Sequence, residues 1–217
     1  MRTEELIDRL AREAEPVQPL ASPARRVLGW LAIALGFALA MVWAVGPRPD
    51  LAERLTEARF LLEQGAALGT AILAAMAALA LTVPDASRLW RWVPVLPGAA
   101  WLGTLGIGCL RDWAQLGPVG LRLTPDPECF AYIALIGSLP LLALVLMLRK
   151  GAPLRPSWTL GLAALAAAAM GNFALRLFHT QDAALMVLVW QVGAVLVIAG
   201  IAALCGRHVL RWPGAWA

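Results

Sequence analysis

Residues 129–148 read CFAYIALIGSLPLLALVLML, a run of 20 residues without a charged side chain. An α-helix needs about 20 mostly apolar residues to cross the ~30 Å hydrocarbon core of a bilayer. Five further apolar windows of similar length lie along the 217-residue chain, at 27–45, 60–83, 93–110, 157–178 and 183–205. Lipid offers no partners to backbone N–H and C=O groups, so these windows must be helices. The sequence therefore predicts an all-α membrane protein with six transmembrane helices.

Basic residues are divided unevenly between the two sides of these windows. The two tails and the second and fourth loops carry twelve of the 18 basic residues, and the other loops and window ends carry six. Basic residues in short loops remain in the cytoplasm, so both termini are predicted to be cytoplasmic. The net charge of +4 is then a sign of topology, and direct binding of nucleic acid is not expected.

The chain divides into three predicted parts. Residues 1–26 form a cytoplasmic N-terminal segment that binds a partner, residues 27–206 form the transmembrane domain, and residues 207–217 form a cytoplasmic tail. The first part contains charges of both signs and three prolines, unlike a cleaved secretory signal, so it is expected to be retained.

An amphipathic helix is predicted within the N-terminal segment. Leu6, Ile7 and Leu10 form a narrow apolar stripe, and Pro16 is expected to stop the helix. A helix of about twelve residues is marginal alone in water, so this stripe needs a surface to lie against. Its polar face carries both acids and arginines, which suits a groove on a protein better than an anionic bilayer.

Polar residues inside the windows are few. Glu63 and Arg176 fall at similar depths near the outer surface, which favours an ion pair between them. Gly65 and Gly69 form a GxxxG pattern, which favours close packing of helices. Gln191 stands alone near the middle of the sixth window, so the chain of polar groups expected in a transporter or proton pump is missing.

The three cysteines are Cys109, Cys129 and Cys205. Cys109 ends the third window and Cys129 begins the fourth, so both are predicted at the outer, oxidising side. A structural disulfide, a redox-active or metal-responsive pair, and two unconnected thiols remain open as alternatives. Cys205 lies at the cytoplasmic end of the sixth window and is expected to be a small buried hydrophobic residue.

Other metal-binding side chains occur on the same outer side. His179 and Asp182 lie in the fifth loop, Asp112 follows Cys109, and Asp126 and Glu128 precede Cys129. Thiolates, an imidazole and carboxylates together can bind a soft or borderline ion such as Cd²⁺ or Zn²⁺. The spacing matches no standard metal motif, and no other cofactor is expected.

Four stretches carry a resemblance to a known family. They are TEELIDRLA at 3–11, LGIGCLRDW at 105–113, ECF at 128–130 and LRLFHTQDAALMVLVW at 175–190. In their order and spacing, over nearly the whole length, the chain resembles the NrsF-type membrane anti-sigma factors.

The resemblance implies a multi-pass protein of the bacterial inner membrane that sequesters an extracytoplasmic-function sigma factor. It maps the sigma-factor contact onto Leu6, Ile7 and Leu10. It also implies a sensor of oxidative or metal stress made of two periplasmic cysteines, which match Cys109 and Cys129. The expected partners are therefore the sigma factor and membrane lipid.

Two other functions compete with this interpretation. A small polytopic transporter would need polar groups at mid-membrane, where Gln191 stands alone. A thiol–quinone redox enzyme would need a CxxC motif or a second redox-active pair, and the sequence contains neither. A regulator without enzymatic activity is therefore the preferred prediction.

Overall fold

The structure is a computed structural model that describes residues 2–13 and 19–210. Helices account for all the regular secondary structure in these two ranges. They are α1 (Thr3–Glu13), α2 (Pro23–Val45), α3 (Leu51–Arg54), α4 (Ala58–Ala80), α5 (Val95–Leu116), α6 (Pro127–Leu148), α7 (Pro156–Leu175), α8 (Ala184–Met186) and α9 (Gly193–Val209). The predicted helix stop at Pro16 and most of the predicted tail at 207–217 lie outside the described residues.

Six of the helical segments are long and apolar enough to cross a membrane. They coincide with the six predicted windows, and this confirms the predicted all-α membrane fold. The third segment, Arg88–Leu121, is longer than its window, because 3₁₀ turns at Arg88–Trp92 and Gly117–Leu121 flank α5. The sixth contains a π-helical segment, Val187–Val192, between α8 and α9.

Helix α7 is the centre of the bundle. It packs against α4, α6 and α9, and 78% of its most apolar window is buried. Half of its buried residues are alanine, so neighbouring backbones can approach closely. A Cβ atom added to Gly171 would lie 2.6 Å from the Ile133 carbonyl oxygen, and one added to Gly137 would lie 3.1 Å from the Ala167 oxygen. Glycine at these positions brings α6 and α7 together.

The predicted GxxxG contact is wrong for Gly65, which is exposed and has no neighbour within 4 Å of an added Cβ. Gly69 meets only the Pro97 Cβ, at 3.4 Å. The pattern lies on α4, whose buried face is formed by alanines at other positions. Close packing therefore uses small residues that do not form this motif.

The prediction that Cys205 is buried is also wrong, because its side chain is exposed. It lies on the outer surface of α9 beside Leu204, which is 81% exposed. A lipid tail is as apolar as the interior of the bundle, so a small apolar residue need not be buried in a membrane helix.

The bundle has two ends of different charge. The basic end contains the loops at 81–94 and 149–155, and the backbone N–H of Ala152 donates to the Thr82 carbonyl across it. The mixed-charge end contains the loops at 46–57, 117–126 and 176–183, where acids and arginines contact each other.

Candidate functional site

Asp126, Cys129 and His179 come together at the mixed-charge end. Their ligand atoms all lie within 4.8 Å of one another. The Cys129 Sγ–H donates to Asp126 Oδ2 at 3.0 Å, and His179 Nε2 lies 3.1 Å from the same oxygen. The cysteine is buried, whereas the side chains of His179 and Asp126 are 22% and 14% exposed. We call these three residues the outer triad.

Local structure positions each member of the outer triad. Asp126 is the N-cap of α6, and its Oδ1 accepts a hydrogen bond from the Cys129 backbone N–H at 3.4 Å. Cys129 then lies in the first turn of the helix, on its buried face. His179 follows the end of α7, where its N–H donates to the Leu175 carbonyl at 2.8 Å. The beginning of α6 and the end of α7 therefore build the group.

Arg48 holds the loop that carries His179. Its backbone N–H donates to the Leu177 carbonyl at 3.0 Å, and its Nη1 donates to the His179 carbonyl at 3.3 Å. Its side chain is 1% exposed and also contacts Asp50 and Asp182. Arg48 was not predicted as a functional residue, although a single arginine just after a span is a signal that could have identified it.

Several other charges join Arg48 in one network. Arg54 contacts Asp50 and Asp182, at 3.1 and 3.3 Å. Arg176 Nη2 lies 2.9 Å from Glu63 Oε2, so the pair expected from their similar depth is in contact, with both side chains 4% exposed. An ion pair this well buried is stable only because both charges are matched. These ion pairs link the loop at 46–57 to the loop at 176–183 at the mixed-charge end.

Hydrogen bonds shift the pKa values of the charged groups in these loops. The hydrogen bond from Arg48 holds the pKa of Asp50 well below its usual range. Hydrogen bonds to Asp182 and Asp50 raise the pKa of Arg48. Burial raises the pKa of Asp126, but hydrogen bonds from Cys129 and His179 outweigh it, so the net pKa is lowered. Asp126 is therefore an anion at neutral pH.

The other predicted ligands are engaged elsewhere. Asp182 belongs to the arginine network, and Asp112 accepts a hydrogen bond from the Ala184 N–H at 3.3 Å. Cys109 is half-buried and is not a member of the outer triad, and both it and Cys129 are free thiols. The structure thus shows no disulfide between the two cysteines and places only Cys129 in the triad.

Gln191 is a further buried polar residue. It lies in the π-helical segment, which packs against α6, the helix that carries Cys129. It is fully buried, and neither its nitrogen nor its oxygen has a hydrogen-bond partner among the described residues. A buried amide without partners is costly and needs an explanation. π-Helical turns are frequent at functional sites.

Helix α1 presents the predicted apolar stripe. Leu6, Ile7 and Leu10 are 38%, 58% and 58% exposed, and none of the residues of α1 is buried. The Arg2 N–H donates to Glu5 Oε2 at 3.1 Å, which closes the first turn as half of a capping box. The stripe therefore has no cover from the described part of the chain.

A comparison with protein families bears on the three predicted functions, which are regulator, transporter and redox enzyme. A model described as NrsF, negative regulator of sigma F, matches residues 10–212. The chain belongs to the NrsF family. No curated protein and no solved structure matches it. The match covers the whole transmembrane bundle and the outer triad, and begins at Leu10 of the stripe.

Membership of the NrsF family has direct consequences for function. The protein is a negative regulator of a sigma factor, so a sigma factor is its partner. The six membrane-length helices indicate a multi-pass membrane protein. Membership of this family favours the predicted regulator over the transporter and the redox enzyme.

Proposed function

We propose that this NrsF-family protein holds an extracytoplasmic-function sigma factor at the bacterial inner membrane through α1. In this proposal both termini are cytoplasmic and the outer triad faces the periplasm. The triad is the sensor, and a thiophilic divalent cation such as Zn²⁺ or Cd²⁺ is the signal that releases the sigma factor. The observation that carries the proposal is the meeting of a thiol, an imidazole and a carboxylate at one end of the bundle.

The partner step is supported by the exposed stripe on α1. Three aliphatic side chains on one face of a short helix would be anchors for an apolar groove, the usual mode by which an amphipathic helix binds a protein. Binding to a groove would also stabilise a helix that is too short to be stable alone. The arginines and acids of the polar face remain in water.

The thiol, imidazole and carboxylate of the outer triad favour a cation over an oxidant as the signal. Cys129 is buried and its thiol donates a hydrogen bond to Asp126, whereas oxidants attack exposed thiolates. Sulfur, nitrogen and oxygen ligands suit Zn²⁺ and Cd²⁺, and three protein ligands leave one position of a tetrahedral site open. Cys129 and His179 would lose the protons that they share with Asp126, so cation binding would replace the present hydrogen bonds.

Capture of the sigma factor from detergent-solubilised membranes tests both steps. The full chain should retain the sigma factor, and a chain lacking residues 1–20 should not. Leu6→Glu and Leu10→Glu should each abolish retention, because an unpaired carboxylate in an apolar groove costs several kcal/mol. Arg12→Glu, on the opposite face of α1, is the matched control and should retain the partner.

Addition of Zn²⁺ or Cd²⁺ to the captured complex tests the signal. Either ion should elute the sigma factor from the full chain, whereas Mg²⁺, which prefers oxygen ligands, should not. Retention of the partner by both leucine variants would disprove the role of the stripe. Elution by peroxide but by neither soft ion would disprove the cation as signal.

A further inference from the structure

A cavity of about 360 Å³ lies between α5, α7 and α9, near the basic end. This volume falls in the range of about 300–1,000 Å³ that is typical of ligand pockets. The residues that line it are Thr70, Arg91, Trp92, Pro94, Val95, Gly98, Ala99, Trp101, Leu102, Trp158, Leu162, Leu165, Val192, Val195 and Leu196. All of them except Thr70 and Arg91 are apolar or glycine, and Thr70 already donates to the Ala66 carbonyl.

The cavity is open to the outside of the bundle. Trp92, Val95 and Leu196 on its rim are 54%, 51% and 57% exposed. A second apolar cavity of about 290 Å³ continues along α7 and α9 and shares Trp158, Leu162, Leu165 and Leu196 with the first. The two form a groove that runs along the surface facing the membrane, with the dimensions and polarity that suit hydrocarbon.

Arg91 stands at the basic end of this groove. Its guanidinium carbon lies 5.2 Å from the ring centre of Trp92 and 5.6 Å from that of Trp158. Its Nε is buried and has no hydrogen-bond partner among the described residues, and no acid among them forms an ion pair with it. Trp92 and Trp158 lie at the ends of their spans, and tryptophan is enriched at the boundary between lipid tails and headgroups. Arg91 therefore offers a positive charge without an acidic partner, at the depth expected for lipid headgroups.

We propose that this groove binds one anionic phospholipid, with an acyl chain in the apolar cavity and the phosphate on Arg91. Arginine pairs with phosphate through parallel, charge-assisted hydrogen bonds, which would give Nε its missing partner. Basic pockets between transmembrane helices at the cytoplasmic surface bind anionic headgroups in this way. The site is separate from the outer triad and from α1, so it stands independently of the sensor and of the sigma-factor contact.

Native mass spectrometry of the full chain released from detergent micelles tests this site. With phosphatidylglycerol as the probe, one lipid should remain bound at concentrations at which phosphatidylcholine does not. Arg91→Gln should weaken retention of phosphatidylglycerol about tenfold, the effect expected for one hydrogen bond to a charged group. Ala99→Trp, which fills the cavity, should abolish retention.

Two matched variants control for charge and bulk. Arg88→Gln lies in the same 3₁₀ turn as Arg91, and Ala100→Trp adds the same bulk one residue further along α5; neither Arg88 nor Ala100 lines the cavity. Both should bind phosphatidylglycerol like the native chain. Equal retention of the two lipids, or equal retention by Arg91→Gln and Arg88→Gln, would overturn the proposal. A gain of lipid binding on removal of residues 211–217 would assign the groove to the chain's own tail and would also overturn it.

Discussion

Asp126 uses its two carboxylate oxygens for two different tasks. Oδ1 caps the first turn of α6, and Oδ2 accepts from the Cys129 thiol and faces the ring of His179. A cation held by Cys129 and His179 would draw on the same carboxylate that caps the helix. Ligand binding at the outer triad is therefore linked to the start of a membrane-spanning helix through a single side chain.

Replacement of single cysteines tests the assignment of the sensor. Cys129→Ser should abolish induction of the sigma factor's target promoter by Zn²⁺ or Cd²⁺, because a hydroxyl is a poor ligand for soft ions. Loss of a direct ligand should weaken cation binding by at least the ~10–100-fold that changes around the ligands cost. Cys109→Ser and Cys205→Ser should respond normally, and reporter transcription in the three variants is the measurement. Normal induction in Cys129→Ser would show that the triad is not the sensor.

Asp50 should make the stability of the mixed-charge end depend on pH. Because its hydrogen bond from Arg48 lowers its pKa, this stabilisation is complete above the ordinary aspartate pKa of about 3.9 and is lost as pH falls through the lower, folded-state value. Asp50→Asn should lower the melting temperature at pH 7, and the difference from the native chain should shrink as the pH falls towards 3. Glu53→Gln, at an exposed neighbour, is the control for thermal unfolding in detergent. A difference that is the same at all pH values would contradict this account.

At the scale of elements, close contact between α6 and α7 depends on glycine. Gly171 lies against the Ile133 carbonyl, and nothing but a hydrogen atom fits between them. The GxxxG pattern of α4 predicted close helix packing at the wrong glycines, because sequence spacing does not indicate which face of a helix meets a neighbour.

The six helices themselves were predictable from the sequence, since length and hydropathy decide whether a segment can cross a membrane. The 3₁₀ turns and the π-helical segment were not predictable, because such irregularities arise from packing between helices.

Alanine at position 171 should therefore destabilise the bundle. Gly171→Ala should separate α6 from α7 and cost about 1–3 kcal/mol, as overpacking in a well-packed core does. Gly65→Ala, on the exposed face of α4, should be neutral or slightly stabilising because alanine is the better helix former. Thermal unfolding of both variants in the same detergent compares them. Equal melting temperatures would show that the α6–α7 contact yields without cost.

At the scale of the whole molecule, the ends of the spans determine which residues meet. A disulfide or a responsive pair of Cys109 and Cys129 was among the predictions because one loop connects the two residues. The structure instead brings Cys129 to His179, across the ends of α6 and α7, while Arg48 from the first loop holds the histidine. Contacts between distant loops depend on how six helices are arranged, and a single sequence does not contain this arrangement in readable form. The Glu63–Arg176 contact was predictable because a buried charge at one depth requires an opposite charge there.

The orientation in the membrane gives a prediction for the molecule as a whole. Reporter fusions after residues 86 and 152, both at the basic end, should be cytoplasmic, and fusions after residues 50 and 120 should be periplasmic. Alkaline phosphatase and fluorescent-protein fusions at each site are the measurement. A periplasmic signal at residue 152 would reverse the orientation and place α1 on the wrong side for a sigma factor.

The burial of α7 has a consequence for biosynthesis. Its mean hydropathy is 1.5, against 2.4 for α6 and for the sixth span, so it is a weaker membrane segment than the helices synthesised immediately before and after it. It also carries Asn172, which is buried in the finished bundle. A nascent chain that ends after α7 has α4 and α6 in place but lacks the α9 surface. The ribosome must therefore complete the last span before the central helix gains its full set of neighbours.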